Sequence, residues 1–285
     1  MTRKSLFHFS LVGLLWGIPY LLMKVAVQDF PPAAVVAGRT LIGASILIPI
    51  AIYRKKFGGA VLGFKYVAFY ALMEMIGPWI LITTAEQKIN TGLAGLLVST
   101  VPIFATIITS LRGDHSVWQF KRIFGIIVGF IGLILVVGIE SLSGNSDPLS
   151  IAMVIVASMG YAYAVIMVTS NLPLVDGIAI NGLAMAITTV FWTPVAIAQW
   201  PSSISMNSAL SLIALGVFST AIAFILFFRV MAEIGPARSS LVTYLNTAIA
   251  VLLGVIILRE PLTVGIIVGL PLVLVGSYLA SRKTV

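Results

Sequence analysis

The chain has 285 residues, of which 60% are hydrophobic and only 9% are charged. A soluble domain is close to half apolar and a quarter charged, so this composition excludes a water-exposed globular surface and predicts a membrane protein. The net charge of +8 would suit nucleic acid, but the basic residues fall in short loops between apolar segments, where they encode membrane topology. Cysteine is absent, which excludes disulfides and thiolate metal sites.

Ten apolar segments follow one another, each near the 20 or so residues that a spanning helix needs. The first follows Met1-Thr2-Arg3-Lys4 without a cleavage pattern, so we expect a span and not a signal peptide. The runs are continuous and not alternating, which argues against a membrane β-barrel. The sequence therefore predicts an all-α polytopic membrane protein with ten transmembrane helices, at about 6–27, 33–53, 64–86, 91–111, 120–140, 149–170, 177–199, 207–229, 237–258 and 263–281.

The basic residues predict the orientation. If the N-terminus lies in the cytoplasm, thirteen of the 17 Lys and Arg residues fall on inner loops and ends, among them Lys55, Lys56 and Arg229. At most four then lie toward the outer side. By the positive-inside rule we expect both termini in the cytoplasm, in a bacterial-type inner membrane.

Two halves of the chain resemble each other. Residues 125–130 read Gly-Ile-Ile-Val-Gly-Phe and residues 265–270 read Gly-Ile-Ile-Val-Gly-Leu. An offset near 145 aligns Trp16 with Tyr161, and a polar run at 140–148 separates the halves. We expect five helices in each repeat, 1–143 and 144–285. Because five is odd, the second repeat is inverted relative to the first, as in many secondary transporters.

Several motifs resemble one known family. Leu15-Trp16-Gly17-Ile18-Pro19-Tyr20 with Lys24, then Pro32 and Arg39, and later Gly92 and Pro102, resemble the EamA-type module of the drug/metabolite transporter superfamily. Residues 235–237 and 258–263, followed by Gly265 and Gly269, continue the resemblance in the second half. Within the superfamily the chain is similar to ten-helix amino-acid and metabolite exporters of the YddG group.

The resemblance implies a central cavity lined mainly by helices 1, 3 and 4 with 6, 8 and 9, and helices 5 and 10 at the periphery. The chain also departs from the family pattern. Asn246-Thr247 replaces a proline in helix 9, Asp114 a glutamate, and Thr100-Val101 the aromatics of aromatic-amino-acid exporters. A strict preference for aromatic substrates is therefore not expected.

Glu74 is the most informative single residue. It lies about ten residues into its span, close to the membrane midplane, where a carboxylate costs on the order of 3 kcal/mol unless it is paired, protonated or hydrated. One interpretation is contact with a substrate ammonium or a proton. The other is a structural ion pair with Arg39, about 9 Å from the outer face by the helical rise.

The same span continues with Gly77, Pro78 and Trp79. Proline removes a backbone hydrogen bond, so we expect a bend that frees carbonyls toward a cavity, with Gly77 and Pro78 as candidates for gating. Trp79 is a candidate to cap the outer side of the cavity, or else an interfacial anchor.

Trp16 and Tyr20 share a helix face across Pro19, a further gating candidate, and suit an amino-acid side chain or an ammonium. Packing is the alternative for this pair. Lys24, one turn further, either meets a substrate carboxylate or extends to the membrane interface.

Three residues of the second half complete the predicted cavity. Tyr161 is favoured over Tyr163, which lies about 200° away on the helix, because Tyr161 aligns with Trp16. Tyr244 and Asn246 point in different directions on helix 9. A buried Asn needs partners for its amide donor and acceptor, and a zwitterionic substrate or a neighbouring helix can supply them equally well. The glycine rows of helices 5 and 10 are interpreted as packing surfaces.

These observations favour a secondary transporter that exports amino acids or related metabolites by alternating access. The expected partners are the lipid bilayer and a small-molecule substrate, a neutral amino acid with a medium-sized side chain such as Met or Thr, with a monomer as the unit and no nucleic acid. We find no catalytic motif, ATP-binding motif, metal site or cofactor site. A passive channel and a non-transporting scaffold remain the alternatives.

Overall fold

The computed structural model describes residues 3–113, 119–142, 147–234, 239 and 242–281. The described residues form ten long helices and contain no β-strand. We number these helices α1 to α10: Arg3–Ala26, Pro32–Tyr53, Phe64–Ala85, Thr91–Leu111, Phe120–Leu142, Pro148–Asn171, Gly177–Ala198, Met206–Ile234, Val242–Ile256 and Val264–Ser281.

The predicted all-helical, polytopic fold is confirmed. Within the described residues, seven helices are long and apolar enough to cross a membrane, and α9 and α10 hold shorter apolar stretches. The ten-span count itself stays a prediction. One detail differs from the sequence interpretation: α8 continues to Ile234, so Arg229 lies inside a helix and not in a loop. A short additional helix, Phe57–Leu62, lies between α2 and α3.

Side-chain caps begin several of these helices. The carboxylate of Asp147 accepts a hydrogen bond from the backbone N–H of Ser150 at 3.0 Å, and that of Asp176 accepts from Ile178 at 2.9 Å. Ser205 caps α8 in the same way. Such caps satisfy donors that the first turn of a helix leaves without intrahelical partners.

Two helices change their winding near the middle of the bundle. α3 contains a π-helical segment, Leu72–Ile76, and α8 contains a longer one, Leu215–Ile222. α4 is interrupted at Ser99 and Thr100. Pro78 and Pro102 lack the N–H that would continue the α-helical ladder, which accounts for the irregularity in α3 and α4. The π segment of α8 contains no proline.

The glycine rows serve close helix packing, as expected. α5 packs along α10, α2 along α7 and α1 along α9. A methyl group at Gly276 would overlap the backbone of Gly125 and Gly129, so only hydrogen fits between α5 and α10 there. The α5–α10 pair contributes one side chain, Arg122, to the central cavity described below.

Candidate functional site

A cavity of about 810 Å³ lies in the middle of the bundle. At one end its wall continues to the helix termini, with Thr109 near the end of α4, Leu172 just past α6 and Met231 near the end of α8. We call this the open end, and it is the end at which α1 begins. The wall is mainly aromatic and aliphatic with few polar groups, which is typical of small-molecule sites.

The opposite end, which we call the closed end, is filled by packed side chains. The cavity stops at Met23, Arg39, Trp79 and Ile82. Beyond this layer Ala26, Phe30, Ala34, Ile89 and Leu93 are buried in one apolar cluster.

Polar contacts reinforce the closed end. The ammonium of Lys24 donates to the carbonyl oxygens of Glu86 and Ile89 at 2.6 and 2.8 Å. The carboxylate of Asp29, in the α1–α2 loop, accepts a hydrogen bond from the backbone N–H of Ser205 at 2.9 Å. These contacts tie the end of α1 to the connection between α3 and α4, and to the start of α8.

Glu74 lies in the π segment of α3 and contributes to the cavity wall. Its Oε2 is buried and has no hydrogen-bond partner among the residues that the structure describes. A buried carboxylate oxygen left in this state is costly, so a cation, a proton or a hydrogen-bond donor in the cavity would stabilise it.

Arg39 lies at the closed end of the same cavity and is 6% exposed. Its Nε and Nη2 donate to the hydroxyl of Thr220 at 3.3 and 3.2 Å, and its Nη1 approaches the sulfur of Met23 at 3.7 Å. The guanidinium carbon lies 3.8 Å from the centroid of the Trp79 ring, a cation–π contact. Arg39 thus joins α2 to α1, α3 and the π segment of α8.

The ion pair between Glu74 and Arg39, one of the two interpretations of Glu74, is not formed. In the described parts of the chain the ion pairs are His8–Glu233 and Lys88–Asp147. Arg39 is held by a ring, a hydroxyl and a thioether instead. The cavity wall therefore contains an acidic group, Glu74, and a basic group, Arg39, that do not neutralise each other, and a second basic side chain, Arg122, from the start of α5.

Aromatic residues form much of the remaining wall. Trp16 and Tyr20 both face the cavity from α1, with Pro19 between them, and Tyr161 faces it from α6. Tyr163 is 37% exposed and its ring packs against Phe69 away from the cavity, as the helical angle required. Trp79 is 5% exposed, which excludes its alternative role as an anchor at the membrane surface.

The other candidates divide between the cavity and its surroundings. Asn246 lines the cavity, whereas Tyr244 does not belong to its wall and its ring packs against Tyr278 of α10. Lys24 is engaged at the closed end and does not face the cavity. Gly77 and Pro78 begin the α-helical segment that follows the π segment of α3.

Sequence reasoning missed several polar residues of this site. Tyr70 donates to the amide oxygen of Asn181 at 3.1 Å, joining α3 to α7 at the cavity wall. Ser219 lines the cavity beside Thr220, and its hydroxyl has no partner among the described residues. Ser219 lies 145 residues after Glu74, the offset that aligns Trp16 with Tyr161, so the repeat could have identified it.

No group of three or more His, Cys, Asp or Glu side chains suited to a metal ion occurs within the described ranges. The site consists of a mainly apolar chamber with three charged side chains, Arg39, Glu74 and Arg122, and several hydroxyl and amide groups. Such a chamber can bind and orient a small polar molecule.

Comparison with known proteins decides the family. A model of the EamA-like transporter family matches residues 3–138 and again residues 148–282. The chain belongs to the EamA-like transporter family. It is a multi-pass membrane transporter, and each matched stretch contains five of the long helices.

Curated relatives of similar length include two that carry transporter names. The "Uncharacterized transporter YoaV" of Bacillus subtilis is 27% identical over 94% of this chain and 93% of its own. The "Uncharacterized inner membrane transporter YedA" of Escherichia coli K12 is 25% identical over 95% and 91%. "Protein PagO" of Salmonella typhimurium is 26% identical over 85% and 81%.

A solved crystal structure shares the fold. It is 15% identical in sequence and superposes with a TM-score of 0.65 over 98% of both chains. At this identity the likeness bears on the architecture alone.

Proposed function

We propose that this EamA-family protein exports amino acids or related small metabolites from the cytoplasm by alternating access through its central cavity. The observation that carries the proposal is the cavity itself. It reaches one end of the bundle, is closed at the other, and holds Glu74 and Arg39 without mutual neutralisation. Its volume of about 810 Å³ falls within the range of roughly 300–1,000 Å³ that accommodates small ligands.

The proposed topology makes the open end cytoplasmic. The thirteen inner basic residues are assigned to the side on which α1 begins, so the cavity would load from the cytoplasm. We further propose that residues 1–143 and 144–285 are inverted repeats. The π segments support this, because α3 and α8 are the third helix of each half and both change winding at cavity depth.

Counterflow in liposomes tests the transport function. Purified protein would be reconstituted with each amino acid of a panel inside, with methionine and threonine first, and uptake of the labelled amino acid measured with and without a pH gradient. A carrier gives saturable, transient accumulation because the internal substrate drives exchange. Absence of counterflow for every amino acid would contradict the proposal.

Glu74→Gln tests whether the cavity is the transport site. We expect at least a tenfold loss of exchange rate with unchanged folded yield, because the amide retains the shape and removes the charge. The control Glu233→Gln removes a carboxylate from the far end of α8, where Glu233 is more exposed and outside the cavity wall. Full activity of Glu74→Gln would remove this carboxylate from the mechanism.

The same measurement separates a carrier from a passive channel. The packed closed end favours a carrier, because a channel needs a continuous polar path through the bundle. Flux that does not saturate and shows no counterflow would favour the channel.

A further inference from the structure

We propose that Arg39 and Glu74 are the two charged ends of one zwitterion site, Arg39 receiving the substrate carboxylate and Glu74 the substrate ammonium. The inference rests on the proposed transport of amino acids and specifies which atoms recognise them. It assigns the carboxylate to Arg39 and not to Lys24, the basic residue that the sequence offered for this role.

Several N–H donors of Arg39 remain available to bind an anion. A guanidinium has five N–H groups. Nε and Nη2 share the single hydroxyl of Thr220 at 3.3 and 3.2 Å, and Nη1 meets only a thioether sulfur at 3.7 Å. The remaining N–H groups have no acceptor among the described residues, and no carboxylate lies within 4 Å. A carboxylate is the ligand that matches this planar fork.

The position of Arg39 makes neutralisation by a ligand favourable. The side chain is 6% exposed, and its exposed part belongs to the cavity wall. The Trp79 ring contacts the guanidinium, with its centroid 3.8 Å from the guanidinium carbon, and so holds this side chain in place. Burying a charge without a counter-ion costs free energy, so an anion that enters the cavity and pairs with Arg39 offsets part of that cost.

Glu74 is the complementary end. Its Oε2 is buried without a partner, and the carboxylate shares the cavity wall with Arg39 while remaining too distant for an ion pair. Tyr161 lines the same cavity wall and interacts electrostatically with both of them. The gap suits a molecule that carries opposite charges at its two ends.

Ser219 adds a third polar contact to this site. Its buried hydroxyl faces the cavity without a described partner and neighbours Thr220, the hydroxyl that holds Arg39. The proposal therefore assigns the carboxylate to the guanidinium of α2 with help from the π segment of α8. Lys24 is excluded because its ammonium is engaged by the carbonyl groups of Glu86 and Ile89.

Competition by blocked amino acids tests the assignment. Counterflow of labelled methionine and of labelled threonine would be inhibited by the free amino acid, its carboxamide and its N-acetyl derivative. The carboxamide lacks the carboxylate, and the N-acetyl derivative lacks the ammonium. For the wild-type protein we expect each derivative to inhibit at least tenfold more weakly than the free amino acid.

The variants should separate the two ends. In Arg39→Gln the preference for free amino acid over carboxamide falls to about one, while the preference over the N-acetyl derivative remains. In Glu74→Gln the preference for the free amino acid over the N-acetyl derivative falls to about one, while the preference over the carboxamide remains. Lys65→Gln removes an exposed charge at the start of α3, outside the cavity, and keeps both preferences. Arg39→Gln should fold, because it removes an unneutralised buried charge and keeps a polar partner for Thr220.

The outcomes distinguish the two proposals. If no amino acid shows counterflow, the proposed function and this site fail together. If amino acids are exchanged but the carboxamide inhibits the wild-type protein as strongly as the free amino acid, only the Arg39 assignment fails. This outcome is read from the wild-type protein and needs no variant. Loss of both preferences together in either variant would indicate general damage to the cavity and would also overturn the assignment.

Discussion

The central carbon of the Arg39 guanidinium lies over the indole of Trp79, 3.8 Å from the ring centroid. Both side chains are buried where the cavity ends. Arg39 comes from α2 and Trp79 from α3, so the contact orients a basic group from one helix with an aromatic ring from another. It places the positive charge at the closed end of the chamber.

Trp79→Leu should impair exchange more than a comparable substitution outside the cavity. A desolvated cation–π contact contributes about 2 kcal/mol, and its loss leaves Arg39 less well oriented. We expect counterflow to fall roughly tenfold or more at the same folded yield. The control is Trp200→Leu, since Trp200 is 56% exposed and packs on Phe30 away from the chamber. Equal losses in the two variants would contradict a special role for Trp79.

Thiol labelling should report which end of the cavity is accessible. The chain has no cysteine, so single substitutions need no background removal. Thr169 is exposed and lines the cavity toward the open end, whereas Thr83 is fully buried at the closed end. Thr169→Cys should react with a charged, water-soluble thiol reagent added from the cytoplasmic side, and Thr83→Cys should not.

Addition of a transported amino acid supplies the second half of that test. Alternating access requires that the closed end open during the cycle, so labelling of Thr83→Cys from the outer side should rise with substrate. Labelling of Thr83→Cys that stays at background under active exchange would argue against alternating access.

Gly276→Ala should lower the thermal stability of the protein in detergent. Its new methyl group would meet the backbone of Gly129, which cannot turn aside as a side chain can, so α5 and α10 must separate. Overpacking of this kind costs about 1–3 kcal/mol. Gly58→Ala is the matched control, because nothing lies within 4 Å of its added methyl group. An unchanged melting temperature for Gly276→Ala would show that the two helices do not approach this closely.

Asp29→Ala should loosen the closed end. The hydroxyl and the backbone N–H of Ser205 donate to the Asp29 carboxylate and lower its pKa. Because the folded pKa is lowered, the contact is fully present above the ordinary Asp pKa of about 4 and is lost as the pH falls through the lowered value. We therefore expect more labelling of Thr83→Cys from the outer side in Asp29→Ala at neutral pH, and in the otherwise unchanged protein only under strong acidification.

Asp147→Ala is the control for that experiment. Asp147 also accepts hydrogen bonds that lower its pKa, but they come from Ser150 of the same helix, and its ion pair with Lys88 is long at 3.8 Å, solvent-exposed and therefore weak. Its loss should weaken the start of α6 without opening the closed end. Equal labelling in the two Asp variants would mean that the Asp29–Ser205 contact does not hold the halves together.

The helices were predictable because the length and apolar composition of each segment by themselves favour a helix that crosses a membrane. The predicted 91–111 and 33–53 agree with Thr91–Leu111 and Pro32–Tyr53 to within one residue. Pro78 also indicated an irregular α3. The π segment of α8 was not predicted, because neither proline nor charge marks it and the winding depends on how its neighbours pack.

The site was predictable only in part. Depth along a span can be counted in residues, so Glu74, Trp16 and Tyr161 were recognised as candidates for the chamber. The rotation of each helix and the identity of its neighbours cannot be counted in this way. Arg39 was therefore considered as an ion-pair partner of Glu74 because the two lie at similar depths, although it contacts Thr220 and Trp79. For the same reason Tyr244 was assigned to a cavity that it does not line.

By itself, the sequence determined the environment of this protein, because the free energy of placing a segment in lipid is summed over neighbouring residues of one chain. It also determined, to within one residue, where most of the long helices begin. The tertiary structure alone decided which end of the chamber is closed and which charges remain without counter-ions. These depend on contacts between distant segments, such as that of Arg39 with Thr220, 181 residues further along the chain.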